Sequence, residues 1–257
     1  MLSKGPIEQP SIPMICVICG ASNTVKSHII PRSLFHAAKR PNKPIIANAP
    51  SGIGYQILQS GHWDKSILCA EHEADFGIYD EYGAVFCKAF LTQLRAGKVR
   101  AVIENPQPER LVGFASACVW RFAASRTQGN PGKLLGPYAA KLEEMLFRGG
   151  AFDPLLLISR HGYQDRSGAL LNMGTLPFAY REERLRFWRF IVCGLIFDLK
   201  LDNRGPIPAM KTLAVNDMKL VTIFEDFPQN PARDSTIGPS LTRMSARSQQ
   251  RFRKREH

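Results

Sequence analysis

Two short pairs of metal-binding side chains constrain this sequence more than any other feature. The first pair is Cys16 and Cys19, and the second is Cys69 and His72, with two residues inside each pair. Three thiolates and one imidazole are a common ligand set for tetrahedral zinc. Because all four positions would be filled by protein, the ion would be closed to water. The spacing therefore predicts a structural zinc and not a catalytic one.

Two other interpretations of the first cysteine pair stay open at this point. A redox Cys-x-x-Cys normally lies at the strand-to-helix junction of a thioredoxin-like unit, and that pattern is not evident here. Chance spacing is the second alternative. The remaining cysteines stand singly among apolar neighbours and are predicted to be small buried side chains: Cys87, Cys118 and Cys193.

The charge of the chain favours a polyanionic partner. The 257 residues carry a net charge of +12, with a sequence pI near 9.7. A surplus of this size suits nucleic acid or an anionic membrane surface, although a soluble protein can be basic without such a partner. No apolar run reaches the length of a membrane span, and the N-terminus lacks the hydrophobic core of a secretion signal. We therefore expect a cytoplasmic protein without a membrane partner.

The chain divides by composition into four parts. Residues 1–13 read as a proline-containing arm, and residues 14–97 as the zinc-binding module. Residues 98–230 are expected to form a larger region of helices and antiparallel strands, and residues 231–257 a basic tail that is disordered alone. The predicted fold class is α+β.

Within the module, the cysteine turn is expected between two short strands. A loop over 40–61 follows, and a single helix is expected over about 71–96. A knuckle and hairpin completed by the first turn of a helix is the treble-clef arrangement. Beyond it, the pattern predicts an amphipathic helix over 109–126 and a second over 134–147. Strands are expected from residue 153 onward, at 187–201 and at 219–227.

Three motifs of the module together resemble the HNH endonuclease superfamily. They are Cys16-x-x-Cys19-Gly20, Ser27-His28-Ile-Ile-Pro31 and Ile67-Leu68-Cys69-x-x-His72. The resemblance covers residues 14–83 and is closest to an uncharacterised bacterial and phage group with a Trp-Asp-x-x-Ile-Leu-Cys approach to the helix. It implies a zinc-stapled ββα-metal fold with His28 as the general base that activates water. It also suggests a role in phage defence.

The chemistry of phosphodiester cleavage agrees with these residues, but the metal ligands depart from the family pattern. Imidazole is a base near neutral pH, and a hard Mg²⁺ or Mn²⁺ would stabilise the transition state. Ser27 stands where many relatives have Asp or His. Asp64 replaces an expected Asn, and Glu73 replaces a His or Asn. Both carboxylates suit a hard cation, so we predict Asp64 and Glu73 as its ligands. Asp64 could instead orient His28.

Each of these residues also has a structural interpretation. His28 could form a hydrogen bond across the hairpin, Asp64 could cap a turn, and Glu73 could occupy the first helical turn because the helix dipole favours an acid there. Asp80 lies two turns beyond Glu73, which is too far to share one ion unless the helix is interrupted.

The sequence predicts an HNH-type endonuclease that cuts DNA in preference to RNA. The nucleic-acid-binding residues are expected in the module and the tail: Arg32, Lys39, Arg40, Lys43, Arg251, Arg253, Lys254 and Arg255. Residues 98–230 could select the substrate, or bind a protein partner or a second copy of the chain. One alternative is a catalytically silent treble-clef protein that binds nucleic acid or joins a complex. Another is a zinc protein of RNA processing or translation.

Overall fold

A computed structural model describes most of the chain between residues 14 and 223. The described residues are 14–38, 45–48, 55–58, 61–96, 100–125, 131–161, 173–182, 184–205, 211, 213–216, 218 and 220–223. The arm at 1–13, the tail at 231–257 and seven predicted phosphate-binding residues lie outside them: Lys39, Arg40, Lys43, Arg251, Arg253, Lys254 and Arg255.

The described elements mix helices with mainly antiparallel strands, which confirms the predicted α+β class. The helices are α1 Arg32–Ala38, α2 Ala70–Ala74, α3 Gly77–Arg95, α4 Pro108–Ala124, α5 Pro131–Leu135 and α6 Tyr138–Arg148. The strands are β1 Ser27–His28, β2 Ile45–Asn48, β3 Tyr55–Leu58, β4 Trp63–Asp64, β5 Ala101–Glu104, β6 Leu155–Arg160, β7 Met173–Glu182, β8 Leu185–Val192, β9 Leu195–Lys200 and β10 Leu220–Ile223.

One sheet combines strands from both halves of the described chain. Its order is β3-β2-β7-β8-β9-β6. Every neighbouring pair is antiparallel except β2 with β7, where Ile46 lies opposite Met173. Two smaller sheets pair β1 with β4 and β5 with β10. The module and the region after it therefore share backbone hydrogen bonds.

Helix α4 runs through the centre of the molecule. Every residue from Leu111 to Ala124 is buried, so this helix is not amphipathic as the sequence predicted. A helix covered on all sides carries apolar residues all round. Phe114 contacts Phe190 and Phe197 of the large sheet edge-to-face, at ring-centroid distances of 5.9 and 5.5 Å. Helix α4 is thus packed between α3 and the sheet.

Helices α3 and α4 approach closely because Gly83 of α3 lies against Phe114. A Cβ at Gly83 would stand 2.5 Å from the Phe114 ring. We expect Gly83→Val to lower the free energy of unfolding by about 1–3 kcal/mol, as overpacked cores do. The control is Gly77→Ala at the start of α3, where nothing lies within 4 Å of the added Cβ. Urea unfolding of both variants measures this. An unchanged Gly83→Val midpoint would contradict the packing.

Several predicted elements differ in the structure. The helix expected over 71–96 is two helices, separated at Asp75 and Phe76, and the helix over 134–147 is interrupted at Gly136 and Pro137. The loop expected over 40–61 contains the hairpin of β2 and β3. The strand expected over 187–201 is the β8–β9 hairpin, turned by Cys193 (φ 56°) and Gly194 (φ 85°). Positive φ at both positions is the requirement of a type I′ turn.

Most of the hydrophobic core forms one continuous cluster. It joins Ile30 and Leu68 of the module to Trp120 of α4 and Phe197 of the sheet. Among the described helices, none combines the length and the apolar character that a bilayer crossing requires.

Candidate functional site

Cys16, Cys19, Cys69 and His72 lie close enough together to bind one metal ion. Their ligand atoms are all within 4.8 Å of one another. The Cys19 and Cys69 Sγ atoms are 3.8 Å apart, and Cys16 Sγ is 3.8 Å from His72 Nδ1. With Zn–S bonds of about 2.3 Å, two tetrahedral sulfur ligands are separated by about 3.8 Å. The cluster is therefore compatible with structural zinc.

A tight turn and a helix start bring the four ligands together. Gly20 donates its N–H to the Cys16 carbonyl at 2.9 Å and adopts a φ of 76°, which closes the turn between the first two cysteines. Thr24 forms a β-bridge with Cys69, the residue that precedes α2. His72 lies in the first turn of α2, so the second pair faces the first.

The larger region also supports the metal cluster. Phe147 of α6 contacts the His72 ring edge-to-face, with ring centroids 5.7 Å apart. The same phenylalanine packs against Phe76 and Trp120. The ring of one candidate ligand is thus packed against residues distant in sequence.

The backbone around Cys16 favours its thiolate. Burial alone would raise the pKa of the Cys16 thiol. The backbone N–H groups of Cys19, Cys69 and Ile18 together outweigh burial, so the pKa is lowered from its ordinary value. Hydrogen bonds to the charged form produce such a shift. A thiolate is the form that binds a metal ion.

Strands β1 and β4 contain the predicted general base, His28, and the predicted metal ligand Asp64. Ser27 lies opposite Asp64, and His28 lies opposite Trp63. Directly opposite residues of an antiparallel pair share a face of the ribbon. Ser27 and Asp64 therefore share one face, while His28 and Trp63 share the other.

His28 is half-buried and is kept neutral by its surroundings. Burial lowers the pKa of its imidazole from the ordinary 6.5, and the positive charges of Lys26, Arg32 and Arg121 lower it further. Each of these effects disfavours the charged ring. At neutral pH the ring is in the form that can accept a proton.

A basic and aromatic surface adjoins His28. The Trp63 side chain is 44% exposed, and the Lys26 ammonium lies 4.0 Å from its ring centroid. Arg32 is exposed and donates from Nε to His36 at 3.1 Å. An exposed aromatic ring beside cationic groups is an arrangement that stacks bases and contacts phosphates.

Glu73 and Asp80 share one buried guanidinium, that of Arg121 in α4. Arg121 donates to both carboxylate oxygens of Asp80, at 3.1 and 2.5 Å. Its Nη2 also lies 3.7 Å from Glu73 Oε1. A continuous helix would hold Glu73 and Asp80 two turns apart. The break between α2 and α3 instead brings both acids to Arg121. Ser27 Oγ donates to Glu73 Oε2 at 2.6 Å.

Burial dominates the electrostatics of these acids. It raises the pKa of Glu73 and of Asp80 above the ordinary carboxyl values, even though the Arg121 charge acts in the opposite direction. The pKa of Arg121 is raised because the neighbouring carboxylates outweigh its own burial. The guanidinium therefore compensates charge that would otherwise be costly to bury.

Asp64 accepts hydrogen bonds from both halves of the described chain. Its Oδ1 accepts from the Ser66 N–H at 2.7 Å and from Ser66 Oγ at 2.5 Å, and its Oδ2 accepts from Ser125 Oγ at 2.9 Å. Through the bonds to Ser66, Asp64 caps a turn, which is the alternative role considered for it in the sequence.

Arg121 and Ser125 were not among the residues predicted for the site. Both lie at the C-terminal end of the apolar helix α4. A charged residue inside an apolar helical run is a signal for a buried ionic partner, because an unpaired charge is rarely buried. The sequence held that signal for Arg121 but did not identify Glu73 and Asp80 as its partners.

Comparisons with known proteins returned no match. No protein-family model, no curated protein and no solved structure matches this chain.

Proposed function

We propose that the protein is a metal-dependent endonuclease of the HNH type, built on a ββα unit that a structural zinc holds in a treble-clef arrangement. In this proposal Cys16, Cys19, Cys69 and His72 bind the zinc, and His28 is the general base. The observation that carries the proposal is the position of His28. A neutral, half-buried imidazole adjoins an exposed Trp63 on one face of the β1–β4 ribbon, and the preceding residue, Ser27, bonds Glu73 from the other face.

His28 would take the proton of the attacking water. A general base needs a pKa near or below the working pH, so that the ring is unprotonated when water attacks. The direction of the His28 shift meets this requirement. The exposed Trp63 ring and the charges of Lys26 and Arg32 would hold the substrate strand beside the imidazole.

Asp64 and Glu73 supply oxygen donors that fit a hard divalent cation. Among the described residues, the four zinc-type ligands are the only group of three or more His, Cys, Asp or Glu close enough to hold a metal ion. Mg²⁺ is often held by one or two carboxylates, with water and substrate phosphate completing its shell. When bound, such a cation would offset the charge that develops on the scissile phosphate. Ser27 would position Glu73 through its 2.6 Å hydrogen bond.

A nicking assay tests the assignment of His28. We expect the protein with Mg²⁺ or Mn²⁺ to relax supercoiled plasmid, and His28→Ala to be slower by about 10²–10⁴-fold, the range of a lost general base. The control His36→Gln removes an exposed imidazole from α1, keeps an acceptor for the Arg32 N–H, and should retain activity. Since the pKa of His28 is lowered from 6.5, the acidic limb of kcat/KM should have its midpoint below pH 6.5.

The outcomes of this assay separate the roles of His28. Equal nicking by His28→Ala and the unaltered protein would remove His28 as the base. An acidic limb with its midpoint above pH 6.5 would contradict the neutral imidazole. Nicking by neither protein would favour the second candidate function.

The second candidate is a catalytically silent zinc module that binds nucleic acid or joins a larger complex. One observation favours it: Arg121 already lies 3.7 Å from Glu73 and supplies the positive charge that a catalytic cation would bring. Under this alternative the protein would bind DNA through the surface at Trp63 without cleaving it. Gel-shift binding without nicking in any divalent metal is the expected result.

A further inference from the structure

A second basic site lies far along the chain from the zinc ligands, in the region whose role the sequence left open. A cleft of about 490 Å³ opens between the β7–β8 turn, helices α5 and α6, and the segment after β9. Four of its lining residues are arginines: Arg181, Arg184, Arg186 and Arg204. A volume of this order is typical of a pocket for a small organic ligand.

The backbone places these arginines close together at some energetic cost. Arg181 of β7 lies directly opposite Arg186 of β8. Like charges directly opposite in an antiparallel pair are destabilising. Arg184, in the turn between the two strands, has a φ of 69°, a left-handed conformation that is uncommon for residues other than glycine. An anion in the cleft would offset the repulsion.

Asp202, the acid among the described residues that line the cleft, does not supply that anion. Asp202 accepts from Lys200 Nζ at 2.8 Å and from Arg204 Nη2 at 2.9 Å. Although burial acts to raise the pKa of Asp202, the bonds from Arg204 and Lys200 lower it to about 2. Asp202 is therefore ionised and already bonded to two cations.

The guanidinium groups of Arg181, Arg184 and Arg186 have unused N–H donors. Arg186 donates one N–H to the Leu134 carbonyl at 3.1 Å. Among the described residues, the Arg181 and Arg184 side chains have no hydrogen-bond or ion-pair partner. Both are exposed at the rim of the cleft. Guanidinium groups with unused forked donors are suited to phosphate oxygens.

The floor of the cleft is apolar. Leu135, Leu201 and Trp188 line it and are at most 5% exposed, and the Arg186 guanidinium lies 5.5 Å from the Trp188 ring centroid. A ligand that is complementary to both the arginines of the rim and the apolar floor combines an anionic group with a flat, weakly polar part. A nucleotide has this composition, with phosphate for the rim and a base for the floor.

We propose that this cleft binds a nucleotide unit of single-stranded nucleic acid, with its phosphates on Arg181, Arg184 and Arg186. The choice of nucleic acid as the anion rests on the proposed function. The binding itself does not require cleavage. The cleft would hold a strand at a place separate from His28, as a substrate-selecting site.

Fluorescence anisotropy with a labelled twelve-nucleotide single strand, in DNA and RNA forms and without Mg²⁺ or Mn²⁺, tests the proposal. We expect the double variant Arg181→Ala/Arg184→Ala to raise Kd about tenfold or more. The slope of log K against log salt should fall by about 1.4, because each phosphate contact to a single strand contributes about 0.7. The control Arg100→Ala/Arg110→Ala removes the same charge from exposed positions outside the cleft and should bind as the unaltered protein does.

Further arms separate the sources of the phosphate. Displacement of the strand by a millimolar nucleoside 5′-monophosphate would support the cleft as a site for one nucleotide. No displacement, with the cleft variant still weakened, would support it as a site for the continuous strand. Equal weakening of both double variants would overturn the proposal. Cleft-dependent binding of phosphatidylglycerol vesicles, without any cleft-dependent binding of the strand, would also overturn it.

The failure of this inference differs from the failure of the proposed function. His28→Ala should leave strand affinity unchanged, whereas the cleft variant should lose it. Cleft-dependent binding of the strand without any nicking of plasmid would support the cleft proposal and contradict the nuclease proposal. His28-dependent nicking, with strand affinity unchanged in the cleft variant, would support the nuclease proposal and contradict the cleft proposal.

Discussion

Replacement of Cys69 by serine should leave the protein with less than one zinc per chain and lower its melting temperature more than the replacement of any cysteine outside the cluster. Cys69 is 3% exposed, and its Sγ lies within 3.8 Å of two other ligand atoms. Structural zinc in small domains contributes on the order of 10 kcal/mol of folding free energy. Loss of one of the four ligands should remove most of this folding free energy, because the zinc is then bound much more weakly.

The matched control for Cys69→Ser is Cys87→Ala. Cys87 is fully buried in the core and lies outside the metal cluster. Its variant should melt earlier because of lost packing but retain one zinc. Metal content by mass spectrometry and thermal melting, with and without a chelator, measure both effects. A metal-free protein with an unchanged melting temperature would show that the four side chains hold no structural ion.

The replacement Arg121→Met should lower the free energy of unfolding by about 3 kcal/mol, because it leaves two carboxylates without their cation. Arg121 is fully buried, whereas the side chains of Glu73 and Asp80 are each 23% exposed. This partial exposure places the expected cost at the lower end of the range for broken buried pairs. Arg148→Met breaks an exposed pair with Glu144 on α6 and should cost less than about 0.5 kcal/mol.

The loss in Arg121→Met should depend on pH in a definite direction. Burial already raises the pKa of Glu73 and Asp80, and removal of the guanidinium raises it further. A raised folded-state pKa means that folding favours the protonated acid, so stability is lost as pH rises through that pKa. Urea unfolding should therefore show a larger deficit at pH 7 than at pH 5. An equal deficit at both pH values would contradict the shared-cation arrangement.

The sequence predicted those features whose signals are local. Ligand spacing within two short pairs is sufficient to predict the metal cluster, because each pair is brought together by one turn. Helix α4 was expected over 109–126 and is found at Pro108–Ala124, since a proline at a helix start and an apolar run mark it clearly. The types of α4 and of the β8 and β9 strands followed from patterns within a few residues.

Features that depend on distant partners were missed. Strand β7 contains Pro177, which argues against a strand in the sequence. The β7–β8 pairing shifts register between Thr175 and Phe178, and such an irregularity accommodates the missing N–H. Likewise, the break at Asp75 and Phe76 brings two acids to Arg121, a partner more than forty residues away. Neither the register shift nor that pairing can be read from adjacent residues.

The parallel pairing of β2 with β7 has a consequence for synthesis. Strand β2 leaves the ribosome long before β7, and Arg121 also follows the zinc ligands along the chain. Pairings between residues so distant in sequence form slowly and only after both partners are present. A prematurely terminated product would carry all four ligands and His28 without the guanidinium or the neighbouring strand. Completion of the candidate site therefore waits for translation of the chain through Ser125, which bonds Asp64, and Phe147, which contacts His72.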